Sequence, residues 1–260
     1  MKKNILLTLT ALFTFTLPAE IVLQEKAASG KGDFHEPFAI KTNVDGREKA
    51  FFANGGRGPY SRKTFKIDPE KYYVASVWVK AADDKPSFAY FGLIAFDASG
   101  KEIKSENVSS FPGTETELAA PAEPGDNVIK VKNAAAWKNF TYCVAAFNAK
   151  ADKSDLPNRD LSSDITGIKQ NKDIWEISLK KPLKKDYPAG TRIREHYKGG
   201  YIYVKYGVVP TRWTKWVSRK YKGSELRMGS TGKFVLLCNH GKTNQNMYFD
   251  EITVEEFKDK

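Results

Sequence analysis

The side chains able to do covalent or metal chemistry are few and scattered. Three histidines, His35, His196 and His240, lie far apart, and Cys143 and Cys238 form neither a CxxC pair nor a Cys/His spacing suited to zinc. A catalytic triad or a metal centre would need residues distant in sequence to meet. Carboxylates are plentiful, among them Asp83, Asp84, Glu115, Glu117, Asp152 and Asp155, and glycoside hydrolysis needs two at ~5–9 Å across a cleft. Their spacing selects no pair, and most sit in polar turn-like stretches where solvation is the default. The expectation is a protein that is not an enzyme. Two loops suit the mouth of a binding groove: residues 54–62, glycine-rich with Arg57 and Tyr60, and the polar residues 239–246 with His240. The first lacks the lysine and hydroxyl spacing of a phosphate-cradling loop.

The chain that must position these groups has 260 residues. It opens with Met1-Lys2-Lys3-Asn4, an apolar stretch from Ile5 to Leu17, and Pro18-Ala19-Glu20, the pattern of a secretory signal. Residues 1–19 are read as that signal, with an alternative cleavage near Ala28 or Ser29. The apolar stretch falls short of the ~20 residues that span a bilayer, so no transmembrane segment is expected in the mature chain. A secreted, periplasmic or cell-surface location follows. Removing Lys2 and Lys3 takes the formal charge from +11 to +9, which favours anionic partners such as acidic polysaccharide. The lysines are interspersed with carboxylates and form no basic helix, so nucleic acid is not the expected partner. Cys143 and Cys238 each lie in an apolar strand-like run, compatible with a disulfide or with two buried thiols.

Aromatic and β-branched residues recur in short runs broken by Gly, Pro, Asn and Asp, and no stretch keeps a helical period over three turns. The fold class is therefore all-β. Residues 62–67 alternate and stop at Asp68-Pro69-Glu70-Lys71, a turn with proline at a favoured place. In the next strand Tyr73, Ala75, Val77 and Val79 face the core, with Tyr72, Val74, Ser76, Trp78 and Lys80 opposite. A strand from Phe88 to Phe96 ends in an Asp97-Ala98-Ser99-Gly100 hairpin. Further strands are expected from Trp213 to Tyr221, Lys233 to Cys238 and Met247 to Glu255.

Taken in order, several pieces resemble the carbohydrate-binding modules of the galactose-binding-like jelly-roll class, especially those attached to bacterial xylanases and glucanases. These are Gly32-Asp33-Phe34, the run from Phe65 to Tyr73, Ser76-Val77-Trp78-Val79-Lys80-Ala81, the turn from Phe96 to Lys101, the Trp213 strand, and Tyr248-Phe249-Asp250-Glu251-Ile252. The middle departs from that pattern. Its Gly125-Asp126-Asn127-Val128-Ile129-Lys130-Val131 and Pro182-Leu183 to Gly190-Thr191 segments are similar to a small β-barrel element of phage-tail and surface proteins. The expected organisation is a jelly-roll β-sandwich from residues 30–103 plus 210–257, interrupted by an inserted β subdomain at 104–209.

The resemblance implies binding of a polysaccharide or cell-surface glycan by aromatic stacking and hydrogen bonds. Trp78, Trp216 and Tyr90 are the stacking candidates, both tryptophans being expected on the face opposite the core. The resemblance also implies a structural calcium held by Asp250 with Asp33 or Glu36, in a coordination shell of six or more oxygens. The first alternative is a cell-surface or matrix protein that uses the sandwich as a scaffold for a protein partner. The second, less favoured, is a polysaccharide-cleaving enzyme.

Overall fold

The computed structural model describes residues 19–35, 38–54, 60–83, 87–138, 141–238 and 246–258. The chain begins with β1 (Glu20–Glu25), β2 (Ala39–Val44), β3 (Arg47–Ala53), β4 (Phe65–Lys66), β5 (Tyr72–Ala81), β6 (Ser87–Phe96) and β7 (Glu102–Ile103). A one-turn helix, α1 (Ser105–Val108), leads to β8 (Thr116–Glu117), β9 (Val128–Val131), β10 (Cys143–Phe147), β11 (Leu161–Asn171), β12 (Ile174–Leu179) and β13 (Arg192–Tyr197). The last strands are β14 (Ile202–Val209), β15 (Thr214–Val217), β16 (Tyr221–Lys222), β17 (Thr231–Cys238) and β18 (Met247–Phe257).

Two of the three sheets make a sandwich. One runs β15-β5-β18-β3-β2, with β1 also on β18 and β16 on β5; the other runs β14-β6-β17-β4, with β7 on β6. Tyr73, Ala75, Val77, Val79 and Ala81 of β5 all point into the core between them, where they meet Ala89, Phe91 and Leu93 of β6, Phe234 and Leu236 of β17, and Phe249, Ile252 and Val254 of β18. The inward set expected for β5 is therefore found, although Ser76 on the opposite face is also buried, bonded to Thr253 Oγ1 (2.8 Å).

Turn chemistry sets the connections. Lys71 N–H donates to Asp68 O (3.2 Å), closing the proline turn before β5. At the end of β6, Asp97 Oδ1 accepts the backbone N–H groups of Ser99 and Lys101, and Gly100 takes φ +79°. Ser218 interrupts the strand expected from Trp213 to Tyr221. Its Oγ accepts the Ala75 N–H (3.0 Å), and its own N–H bonds Ala75 O (2.9 Å), so the ladder breaks there into β15 and β16.

The third sheet, β8-β13-β10-β11-β12-β9, comes wholly from the segment between β7 and β14. Its ends meet where Leu118 pairs with Val131 and Ala119 N–H bonds Lys130 O (2.8 Å), curling the sheet around its own core of Leu118, Ile129, Phe147, Ile177 and Ile193. The chain leaves after β7 and returns with β14, and both pair with β6. Strand β14 lies within residues 104–209 but belongs to the sandwich sheet.

The curled sheet buries charge as well. Arg194, Glu195 and His196 on β13 have 0% exposure. The Arg194 guanidinium donates to Asp155 Oδ2 (2.6 Å) and, through Nε, to His196 Nε2 (2.7 Å). Because Nε2 accepts, the ring proton sits on Nδ1 and is donated to Glu106 O (2.7 Å). Cys143 is a free, buried thiol on the adjacent strand, hydrogen-bonded to Glu195. Burial holds the His196 pKa below its usual 6.5, helped by Arg194 and Lys153 and opposed by Glu106 O and Asp155.

A second proton on His196 would face the Arg194 N–H, two donors with no acceptor between them. With the folded pKa depressed, the unfolded chain takes up that proton first as pH falls below about 6.5. His196 thus favours the folded state fully above that pH and loses its contribution on acidification toward the depressed value. We expect the urea midpoint to fall between pH 7.5 and 5.5, and the fall to be smaller in H196Q; an equal fall in both would remove His196 as its source.

Candidate functional site

The outer face of the β14-β6-β17-β4 sheet carries a connected ribbon of aromatic rings. Register explains it: Tyr206 lies opposite Tyr90, Val208 opposite Phe88, and Tyr203 opposite Gly92, all pointing away from the core that holds Ala89, Phe91 and Leu93. Tyr90 stacks on Tyr206 (centroids 5.8 Å, 23°) and packs against Tyr203 (4.9 Å) and Phe88 (5.2 Å). Tyr203 meets Tyr201 edge-on at 6.2 Å, and Tyr201 meets Tyr60 at 6.0 Å. Tyr60 is set on the far side of β17 by its bridge to Val235.

Gly92 lets the strands come together beneath these rings. A Cβ there would stand 2.6 Å from Ile202 O, so any side chain would push β14 away from β6. A bulge between Tyr203 and Lys205 then restores the outward direction for Tyr206, which is 63% exposed.

The polar fringe of the ribbon is mostly neutral. The Tyr60 and Tyr201 hydroxyls share a hydrogen bond of 3.2 Å. Burial raises the Tyr201 pKa, and the Tyr60 bond and nearby Glu102 reinforce it; burial also raises Tyr203. These phenols remain protonated donors throughout the physiological range. Lys233 sits over the Phe96 ring (4.8 Å) and near His35 Nε2 (3.4 Å), its pKa lowered by burial.

Of the residues singled out in the sequence, Tyr60 and Tyr90 come together in this ribbon. Arg57 and His240 lie outside the described residues, as do Glu36 and Asp84. Trp216 is corrected: it pairs with Val77, shares that residue's inward face, and lies in the sandwich core at 5% exposure. Trp78 does point outward, but its ring is covered. The Arg47 guanidinium lies 4.8 Å from the Trp78 centroid and 4.7 Å from that of Trp213.

Two local devices place Arg47 there. The β2–β3 hairpin turns through Asp45-Gly46 with φ 43° and 84°, both left-handed, as a two-residue primed turn requires. On β18 a bulge between Asp250 and Thr253, with Glu251 at φ 48°, brings two successive carboxylates to Arg47 Nη1, Asp250 at 2.8 Å and Glu251 at 3.0 Å. The other Asp250 oxygen accepts the Ala27 N–H (2.9 Å). Asp250 is thus surrounded by N–H donors, an environment that repels a cation. The backbone N–H of Asp33 donates to Glu25 Oε2 (3.3 Å). Among the described residues no group of three or more His, Cys, Asp or Glu could hold a metal.

Three of the six acids considered for hydrolysis have structural partners. Glu117 pairs with Lys132 (2.6 Å), Asp155 with Arg194 (2.6 Å), and Asp152 accepts the Ser154 N–H (3.0 Å). Tyr201, Tyr203 and Tyr206 were not singled out, because their run falls within residues 104–209. The signal was present in Tyr201-Ile202-Tyr203-Val204, an alternating aromatic and β-branched stretch.

No protein-family model matches the chain, and no curated protein matches it. Among solved structures the chain is similar to the CBM22-1 xylan-binding domain from Paenibacillus barcinonensis Xyn10C. The likeness has a TM-score of 0.40 and 10% sequence identity, covering 93% of this chain and 97% of that one.

The Arg47 cluster makes a stability prediction. Arg47→Ala strips two tryptophan faces of their cation and leaves buried Asp250 without its ion partner, at an expected cost of about 2–4 kcal/mol. Urea unfolding measures this, and a loss under about 0.5 kcal/mol, typical of a surface substitution, would refute the structural role.

Proposed function

We propose that this is an exported, non-catalytic carbohydrate-binding protein whose tyrosine ribbon stacks against the sugar rings of a polysaccharide. The observation that carries this is the ribbon itself. Aromatic faces backed by a rigid sheet offer large contact area at little entropic cost, and their hydroxyls can meet those of a sugar. From Tyr206 on β14 across β6 and β17 to Tyr60 the ribbon crosses three strand spacings, roughly 14 Å, more than one sugar ring needs. An open surface of that length suits a polymer better than a free monosaccharide.

The +9 charge left after loss of Lys2 and Lys3 favours an acidic glycan. Export is supported by the signal-like residues 1–19; β1 starts at Glu20 and pairs along β18. Cleavage near Ala28 or Ser29 would cut β1 away, whereas cleavage before Glu20 leaves it whole. No helix among the described residues is long and apolar enough to cross a membrane.

A glycan array followed by affinity electrophoresis tests the proposal. Wild type is expected to be retarded by at least one polysaccharide, and Tyr206→Ala, at an exposed position where the fold should be unaffected, to weaken that binding roughly tenfold. Tyr90→Ala should do at least as much, since it also removes the support beneath Tyr206. Absence of glycan binding together with capture of a surface protein would replace this function with a protein-contact role, and release of reducing ends would replace it with catalysis.

A further inference from the structure

The curled six-stranded sheet carries a second surface that the ribbon does not use. A cavity of about 510 Å³, within the size range of small-ligand sites, is walled by Arg159, Lys180, Lys181, Lys184, Lys185 and Lys198. Only three carboxylates share the wall, Glu106, Asp160 and Asp164. Asp160 is taken by Lys185 (2.8 Å), Tyr187 (2.8 Å) and Asn148 (2.8 Å), and Asp164 by Lys198 (2.6 Å) with Lys180 at 4.0 Å. Arg159 reaches across to Asp97 of the sandwich. Lys181 and Lys184 have no carboxylate within ion-pair distance among the described residues, and both are exposed. Six cations against three carboxylates, in a concave wall, focus a positive field into the cavity.

The strand end and loop that carry these lysines are held in place. Ser163 Oγ donates to Lys181 O and accepts Lys181 N–H, both at 2.8 Å, while Lys180 N–H bonds Asp164 O (2.8 Å) and Leu183 N–H bonds Asp126 O (2.8 Å). With Leu183 also buried, the backbone beneath Lys181 and Lys184 is ordered before any ligand arrives, which lowers the entropic cost of binding. The wall hydroxyls of Ser162, Ser163 and Tyr187 are spent on internal bonds, so the ammonium groups are what a ligand would meet. Lys198 in this wall is three residues from Tyr201 in the ribbon, at most roughly 11 Å along the chain.

We infer that this basic cleft is an anion-binding subsite for the carboxylate or sulfate group of an acidic saccharide. The saccharide part rests on the function proposed above; the anion site rests on the cleft alone. The test uses the intact protein, wild type, K181A/K184A and Y206A, titrated with polygalacturonate, dextran sulfate and neutral xylan at low and high salt. K181A/K184A is expected to weaken one or both polyanions roughly tenfold at low salt, to flatten the salt dependence, and to leave xylan binding unchanged. The polyanion that responds identifies the acid group. If K181A/K184A weakens the polyanions while Y206A alters nothing, the cleft stands and the ribbon's role falls. Unchanged binding of both polyanions to K181A/K184A would overturn the inference. So would equally tight, equally lysine-dependent binding of duplex DNA.

Discussion

The pairing of β6 with its neighbours is the constraint on which the rest depends. Strand β6 is bonded on one side to β17 and on the other to β14, with β7 folded back at its end. Its strict two-residue alternation sends Ala89, Phe91 and Leu93 into the sandwich and Phe88, Tyr90 and Gly92 outward. A slip of one residue would exchange the two sets, exposing the core and burying the ribbon. The same strand receives the chain on both sides of the curled sheet, so the long excursion leaves and re-enters the sandwich at one place. Core, ribbon and insertion are three consequences of one register.

The opposite sheet shows how a surface of similar composition can be committed to stability. Trp78 and Trp213 present aromatic faces as the tyrosines do, but Arg47 fills the space between them and is itself anchored by Asp250 and Glu251. A guanidinium with planar faces and directional donors satisfies both rings and both acids at once. The bulge at Glu251 does a second task. It resets the alternation of β18, so that Phe249, Ile252 and Val254 can all face the core although they are three and two residues apart.

Charge is handled differently in the two parts of the molecule. Strand β13 buries polar groups on both of its faces, Glu195 with Cys143 toward the curled core and Arg194 with His196 on the other side, and each group has a partner, the condition under which such burial is tolerated. On the outside of the curled sheet the lysines outnumber the acids that could neutralise them. In the sandwich, Lys71 pairs with Glu256 and Arg219 with Glu225.

The sequence by itself determined the all-β class, the inward set of β5 and the turns at Asp68 and Asp97. Each depends on local alternation or turn chemistry, which neighbouring residues encode between themselves. Tertiary structure alone decided which aromatic rings are free. Trp216 and Tyr206 sit in equally strand-like runs, yet one lies opposite Val77 and is buried while the other lies opposite Tyr90 and is exposed. Only cross-strand register between distant segments separates them. Likewise Asp250 has the residue type of a cation ligand, and the partner that the fold gives it is an arginine 203 positions away in the chain. Side-chain chemistry is written in the sequence, but its availability is set by what the fold packs against it.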